Sequence, residues 1–270
     1  MTRIATGEIT THVQRLDAVR PAGATGEPPV VVFVHGLLTD SLASYYFTLG
    51  PAFAAGGVDV IMYDLRGHGR SDRPRTGYRL ESFVGDLTGL LDALDERRPV
   101  HVVGNSFGGA IAAAFSAWHP DRVATVTLIE AEPPVARWTR HMDRALGYTR
   151  EQLLRDEVID WIAANEGAHT ARLSRNAGRI LRSTAMVEEI PAGRVIADDL
   201  SELTSPLLAV FGDDSPLAAL VPELTALVPG CRTVVLPDQG HSVLIERPDT
   251  TRELILSWIR QHQLAGTAAR

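Results

Sequence analysis

The chain has 270 residues, enough for one large α/β domain with an insertion, and 45% hydrophobic with 22% charged residues excludes a fibrous or disordered architecture. Its 26 Lys and Arg against 33 Asp and Glu leave a formal charge of -7, a field that repels phosphate backbones and anionic lipid, so neither nucleic acid nor a membrane is an expected partner. The single Cys231 excludes an intramolecular disulfide, no Cys/His cluster stands at zinc spacing, and no stretch reaches the ~18 apolar residues of a span, so a cytoplasmic protein without a structural metal is expected.

Residues 1–20 alternate polar and apolar weakly, as an antiparallel hairpin at a sheet edge does, and 21–29 read as a loop with a proline at each end. From residue 30 onward, short apolar runs alternate with helical patterns, which predicts parallel strands covered by helices on both faces. Strands are expected at 30–34, 58–63, 100–104, 124–129, 207–211 and 232–236, all six buried on both sides, and helices near 42–55, 80–95, 107–118, 216–228 and 249–263. The rhythm breaks between 132 and 203, where the text is helical, charged and aromatic-bearing. That stretch reads as an inserted cap, with residues 1–131 and 204–270 as the two parts of the core domain. Trp138, His141, Tyr148 and Trp161 are candidates for its inner surface, although packing of the cap helices onto each other accounts for most such aromatics. Cys231 reads as a packing residue at a strand edge.

The strand 100–104 feeds Gly104-Asn105-Ser106-Phe107-Gly108-Gly109 and then an Ala-rich helix. A strand-to-helix turn this sharp needs glycine two residues before and after its tip, and it presents the tip residue, Ser106, as an exposed nucleophile. A serine hydroxyl needs a base within reach. His241, in the loop between the last strand and the last helix, is on the sheet edge where Ser106 also sits, whereas the other histidines fall in strands, turns, the cap or near the termini. The imidazole needs an acid to fix its tautomer. Glu130 stands abruptly at the end of strand 124–129 and is preferred over Asp213 and Asp214, which follow strand 207–211. The more frequent source is an Asp three residues beyond a glycine on that later strand, but Ser215 occupies that position here. The amides of Leu37 and Phe107 are the expected oxyanion donors, with His35 a brace of the loop that carries Leu37. The run 64–72 is glycine-rich, yet it lacks a third spaced glycine and a Gly-Lys-Ser/Thr, so it reads as a tight turn rather than a nucleotide site.

With His35-Gly36, Asp64-Leu65-Arg66-Gly67-His68-Gly69-Arg70-Ser71, the Ser106 turn and Gly240-His241 in this order, the chain resembles the α/β-hydrolase superfamily from about residue 30 to 259. The resemblance implies an α/β-hydrolase fold: an eight-stranded mostly parallel sheet flanked by helices, an inserted helical cap, and a Ser-acid-His triad that uses no cofactor. Glu130 at the end of the sixth strand is similar to the arrangement in lactone hydrolases, and Gly-Asn-Ser-x-Gly-Gly resembles carbon-carbon bond hydrolases of ring-cleavage pathways, whose glycine-rich oxyanion loop is missing at 36–40. The expected activity is cleavage of an ester, lactone or thioester of a small apolar metabolite. Carbon-carbon hydrolysis, a cyclisation, or a non-catalytic small-molecule receptor on the same fold are the alternatives.

Overall fold

Continuously apolar strands must find cover on both faces, and here they find it in one sheet with a separate core on each side. The structure, a computed structural model, describes residues 2–268. Met1, Ala269 and Arg270, counted above with the two parts of the core domain, lie outside the described residues. The strands are β1 (Thr2–Ala5), β2 (Thr10–Leu16), β3 (Val30–Val34), β4 (Asp59–Tyr63), β5 (Val100–Asn105), β6 (Val123–Ile129), β7 (Leu207–Gly212) and β8 (Arg232–Leu236). They form one eight-stranded sheet in the order β1-β2-β4-β3-β5-β6-β7-β8. The pairs β1/β2 and β2/β4 are antiparallel and the remaining pairs parallel, so the N-terminal hairpin sits at an edge as its weak alternation predicts.

Val30, Val32 and Val34 enter one core and Val31 and Phe33 the other; β7 divides likewise, Leu207, Ala209 and Phe211 against Leu208 and Val210. The helices that cover the faces are α1 (Ala43–Tyr46), α2 (Gly50–Ala55), α3 (Leu80–Ala93), α4 (Phe107–Trp118), α5 (Ala136–Leu153), α6 (Asp156–Asn165), α7 (Gly167–Ser183), α8 (Met186–Glu189), α9 (Val221–Leu227), α10 (Val243–Glu246) and α11 (Pro248–Ala268). Among the described residues no helix is long and apolar enough to cross a membrane.

Three expectations are corrected. Strand 232–236 is not buried on both sides: β8 is the outer strand, paired only with β7, and Arg232 and Val235 are exposed. The helix foreseen at 42–55 is two short helices, α2 restarting with Pro51 in its first turn. Residues 216–228 begin as a 3-10 turn over Pro216–Leu220 before α9, whose own first turn holds Pro222; each proline lacks the N–H that a continuous ladder would need. Cys231, half-buried beside the larger core, has its thiol pushed up to about 11 by burial.

Helices α5 to α8 are inserted between β6 and β7 and do not pack by themselves. Trp138, Leu146, Ile180, Leu181 and Met186 belong to the same apolar core as Phe107, Ala110 and Val34. Tyr148 and Trp161, by contrast, are exposed. Because β3, β5, β6, β7 and β8 run parallel, their carboxyl ends share one edge, where open α/β sheets bind ligands. Leu37, Ser106, Glu130, Ser215 and His241 each lie within a few residues of one of those ends.

One buried base makes the fold acid-sensitive in a defined window. His101 on β5 is buried, with Nδ1 2.8 Å from Thr125 Oγ1 on β6, and burial, with a smaller contribution from His262, pushes its pKa down to about 4. Between pH about 4 and the ordinary value near 6.5, the unfolded chain takes up a proton that the folded chain refuses, so stability is full above this window and falls as pH drops through it. The expected contribution is about 1.4 kcal/mol per pH unit. Denaturant unfolding at pH 7, 6, 5 and 4.5 should show a His101→Gln variant with a correspondingly shallower decline than the parent; parallel declines would contradict the assignment.

Candidate active site

The turn at Ser106 exists because two glycines leave no room for side chains. A Cβ on Gly104 would stand 2.2 Å from the Gly108 carbonyl oxygen, and one on Gly108 would stand 2.1 Å from that of Val34. No other residue allows the chain to fold back this closely on β3 and β5. Ser106 at the tip has φ +53 and ψ -120, a strained conformation for a non-glycine, and is held there by its N–H to Ile129 O and its C=O to Gly109 N–H, both 2.9 Å.

Ser106 Oγ lies 3.1 Å from His241 Nε2, and His241 Nδ1 lies 3.1 Å from Glu130 Oε2. Ser106 and Glu130, from neighbouring strands, thus form one hydrogen-bonded chain with His241, which lies more than a hundred residues from either. The Glu130 side chain is 0% exposed, while that of His241 is 55% exposed. A buried carboxylate is tolerable only when its lone pairs are met. Glu130 Oε1 accepts the Gly212 N–H at 2.5 Å, and Oε2 accepts the Ser215 hydroxyl at 2.6 Å beside His241. Asp213 and Asp214 are exposed; Asp213 Oδ1 accepts the Gln239 N–H at 3.3 Å, and neither carboxylate is bonded to His241. The charge on Glu130 requires the hydrogen on His241 Nδ1, which leaves the Nε2 lone pair to accept from Ser106.

The Leu37 and Phe107 backbone N–H groups have no acceptor among the described residues, and both residues line the cavity of about 350 Å³ that holds Ser106 and His241. Phe107 N–H opens α4, where the helix dipole adds to its pull on a negative oxygen. The loop carrying Leu37 is fixed from behind. Asp40 accepts the Gly36 N–H at 2.6 Å, and His35, fully buried, accepts the Leu65 N–H on Nε2 at 2.9 Å, as a brace does. Leu38, at φ +66, donates its N–H to His68 Nε2 at 2.7 Å. Burial and the neighbouring His35 push the His68 pKa down to about 3, so its ring is neutral, donates through Nδ1 to Arg66 O at 2.9 Å, and keeps a lone pair for Leu38. The glycine-rich run that carries His68 is a tight turn, with Gly67 and Gly69 at positive φ and the Asp64 carboxylate accepting the Leu42 and Arg70 N–H groups at 2.9 Å.

Sequence reasoning missed His68 and Ser215 as parts of this site. Ser215 carried a signal, a hydroxyl at the position where the later strand would supply an acid. Of the four cap residues singled out, Trp138 and His141 line the cavity and Tyr148 and Trp161 do not. Trp138 stacks on Phe107 with ring centroids 6.1 Å apart and planes 19° apart.

Residues 29–196, more than half of the chain, match the family model described as alpha/beta hydrolase fold. The 2-(acetamidomethylene)succinate hydrolase of Mesorhizobium japonicum is 28% identical over 278 residues, covering 95% of this chain and 94% of that protein. Among solved structures, Est816, an N-acyl homoserine lactone degrading enzyme, matches with TM-score 0.69 and 26% identity over 94% of this chain and 98% of its own. The enol-lactonase of Burkholderia xenovorans matches with TM-score 0.71 at 23% identity, over 96% of this chain and all of its own, a likeness of fold.

Replacing Ser215 by alanine leaves a lone pair of the buried Glu130 carboxylate unmet and also removes the acceptor for the Leu217 N–H at 3.2 Å. The expected loss is about 1–3 kcal/mol, read as a lower denaturant midpoint at unchanged slope. A loss under about 0.5 kcal/mol would mean that Ser215 does not support Glu130.

Proposed function

Because the chain belongs to the alpha/beta hydrolase fold family, we propose that it is a serine hydrolase that cleaves an ester, lactone or thioester of a small, largely apolar metabolite through an acyl-enzyme. The observation that carries this reading is the unbroken chain from Ser106 Oγ through both nitrogens of His241 to Glu130, each step 3.1 Å, at the wall of a cavity that offers two unused backbone N–H groups. Its volume of about 350 Å³ suits a small molecule. Leu37, Phe107, Trp138, Met142 and Leu217 make most of the lining apolar.

In the proposed reaction His241 Nε2 takes the Ser106 proton as Oγ adds to the substrate carbonyl carbon. The carbonyl oxygen becomes the oxyanion and accepts from the Leu37 and Phe107 N–H groups, each such donor being worth about 100- to 1000-fold in rate. Glu130 stabilises the imidazolium electrostatically. The tetrahedral intermediate collapses as the imidazolium gives its proton to the departing oxygen or sulfur, leaving the acyl group on Ser106; water, deprotonated by the same imidazole, then releases the acid. With a lactone the leaving oxygen stays tethered and the product is a single hydroxy acid. The lactone-degrading activity named for Est816 supports a lactone among these substrates, and the hydrolase activity named for the Mesorhizobium relative supports hydrolysis in general.

A panel of p-nitrophenyl esters and lactones tests the reading. Ser106→Ala should lower kcat by about 10⁴-fold or more, and a fluorophosphonate should add its mass to the parent protein at Ser106 but not to the variant. Glu130→Gln should cost about 10³- to 10⁴-fold by disturbing the tautomer, with Asp214→Asn near the parent. Unimpaired turnover by the Ser106 variant would reject the nucleophile, and a loss confined to the Asp214 variant would move the acid.

A further inference from the structure

On α5, Trp138, His141, Met142 and Ala145 recur at i, i+3, i+4 and i+7, the spacing of one helix face, and all four line the cavity that holds Ser106. Three of these are apolar, and His141 is not. Its position in that row puts an imidazole on the surface facing the substrate space.

Apart from the Leu37 and Phe107 N–H groups, the polar groups of the cavity wall beside Ser106 engage one another. Ser106 and His241 engage each other, and Glu130 engages His241, Ser215 and Gly212. Ser215 Oγ both donates to Glu130 and accepts from Leu217 N–H. Glu132, with its side chain 10% exposed, accepts from Arg137 Nε at 2.8 Å on Oε1 and faces His141 Nδ1 at 3.3 Å on Oε2. A carboxylate only accepts, so Nδ1 carries the hydrogen, and in that tautomer Nε2 presents a lone pair to the cavity. No group among the described residues hydrogen-bonds that Nε2, and the side chain is 57% exposed at the cavity rim.

Charge decides what this lone pair meets. Arg137 donates through Nη1 to both oxygens of Glu223, at 2.7 and 2.6 Å, as well as to Glu132, so one guanidinium serves two carboxylates. With Glu130 in the same wall, carboxylates outnumber the fixed cation, and an anionic substrate group would add repulsion. A hydroxyl or an amide N–H satisfies the Nε2 lone pair without adding charge.

We propose that His141 is a specificity-determining residue: its Nε2 accepts a hydrogen bond from a hydroxyl or amide N–H on a neutral, otherwise apolar acyl substrate, and the wall around Glu132 disfavours carboxylated ones. This inference rests on Ser106 being the nucleophile. Glu132 holds the ring by Nδ1 and so acts as a positioning residue, itself tied to α9 through Arg137 and Glu223.

The test uses three series of p-nitrophenyl esters with acyl chains of four to eight carbons: unsubstituted, hydroxylated at the far end, and carboxylated at the far end. For the parent protein, the best hydroxylated ester should exceed its unsubstituted analogue in kcat/KM by up to about tenfold, the worth of one partly exposed hydrogen bond, and the carboxylated ester should fall below both. In His141→Leu the ratio of hydroxylated to unsubstituted ester should collapse to about one, chiefly through KM, and in His141→Gln, which keeps an acceptor, part of it should return. A ratio unchanged in His141→Leu, or a carboxylated ester as the preferred substrate of the parent, would overturn the proposal while ester turnover and fluorophosphonate labelling of Ser106 left the parent reading standing. A parent protein that neither turns over these esters nor takes the label would remove both together.

Discussion

A carboxylate with no exposure to water sets the terms for this molecule. The charge on Glu130 is unaffordable at the end of an apolar strand unless every lone pair is engaged, and its partners come from the last residue of β7, the turn after it and the loop after β8. Satisfying that charge fixes the separation of β6 and β7 at their carboxyl ends and the direction of the His241 ring. It also fixes the tautomer, so the same bonds that make the burial tolerable prepare the imidazole to receive a proton. Structural need and chemical readiness are here one set of contacts.

Buried side chains also anchor the loop that carries Leu37. His35 and His68 sit face to edge, with centroids 5.3 Å apart, and both use ring nitrogens as acceptors for backbone N–H groups of turns that no regular ladder supports. Leu38 in the left-handed region is the strained member of the loop, and its bond to a ring that burial keeps uncharged offsets that strain. The loop therefore presents the Leu37 N–H without needing the glycines that a more flexible segment would use.

Much of this was legible in the letters because periodicity and punctuation are local. Strands 30–34 and 232–236 fall at their expected residues, and the glycines around Ser106 announce the turn that their clashes enforce. What escaped was decided by neighbours distant in sequence. The exposure of β8 follows from its having one partner strand, which no window of five residues records. Ser215 reads as an ordinary turn residue until Glu130, 85 positions earlier, is placed against it. His68 looked like part of a glycine-rich turn because its acceptor role depends on Leu38, across a different loop. The insert was visible as a break in rhythm, but which of its aromatic faces turns inward depends on the angle of α5, and only the stack of Trp138 on Phe107 reveals it.

That stack has a bearing on the shape of the chamber. Phe107 sets its backbone N–H beside Ser106 and its ring between Phe83 and Trp138, so the floor of the chamber and its ceiling are bolted through a single residue. Swinging the ceiling outward would unstack two buried rings and tug on the first turn of α4, so the chamber keeps its shape only while that stack is kept.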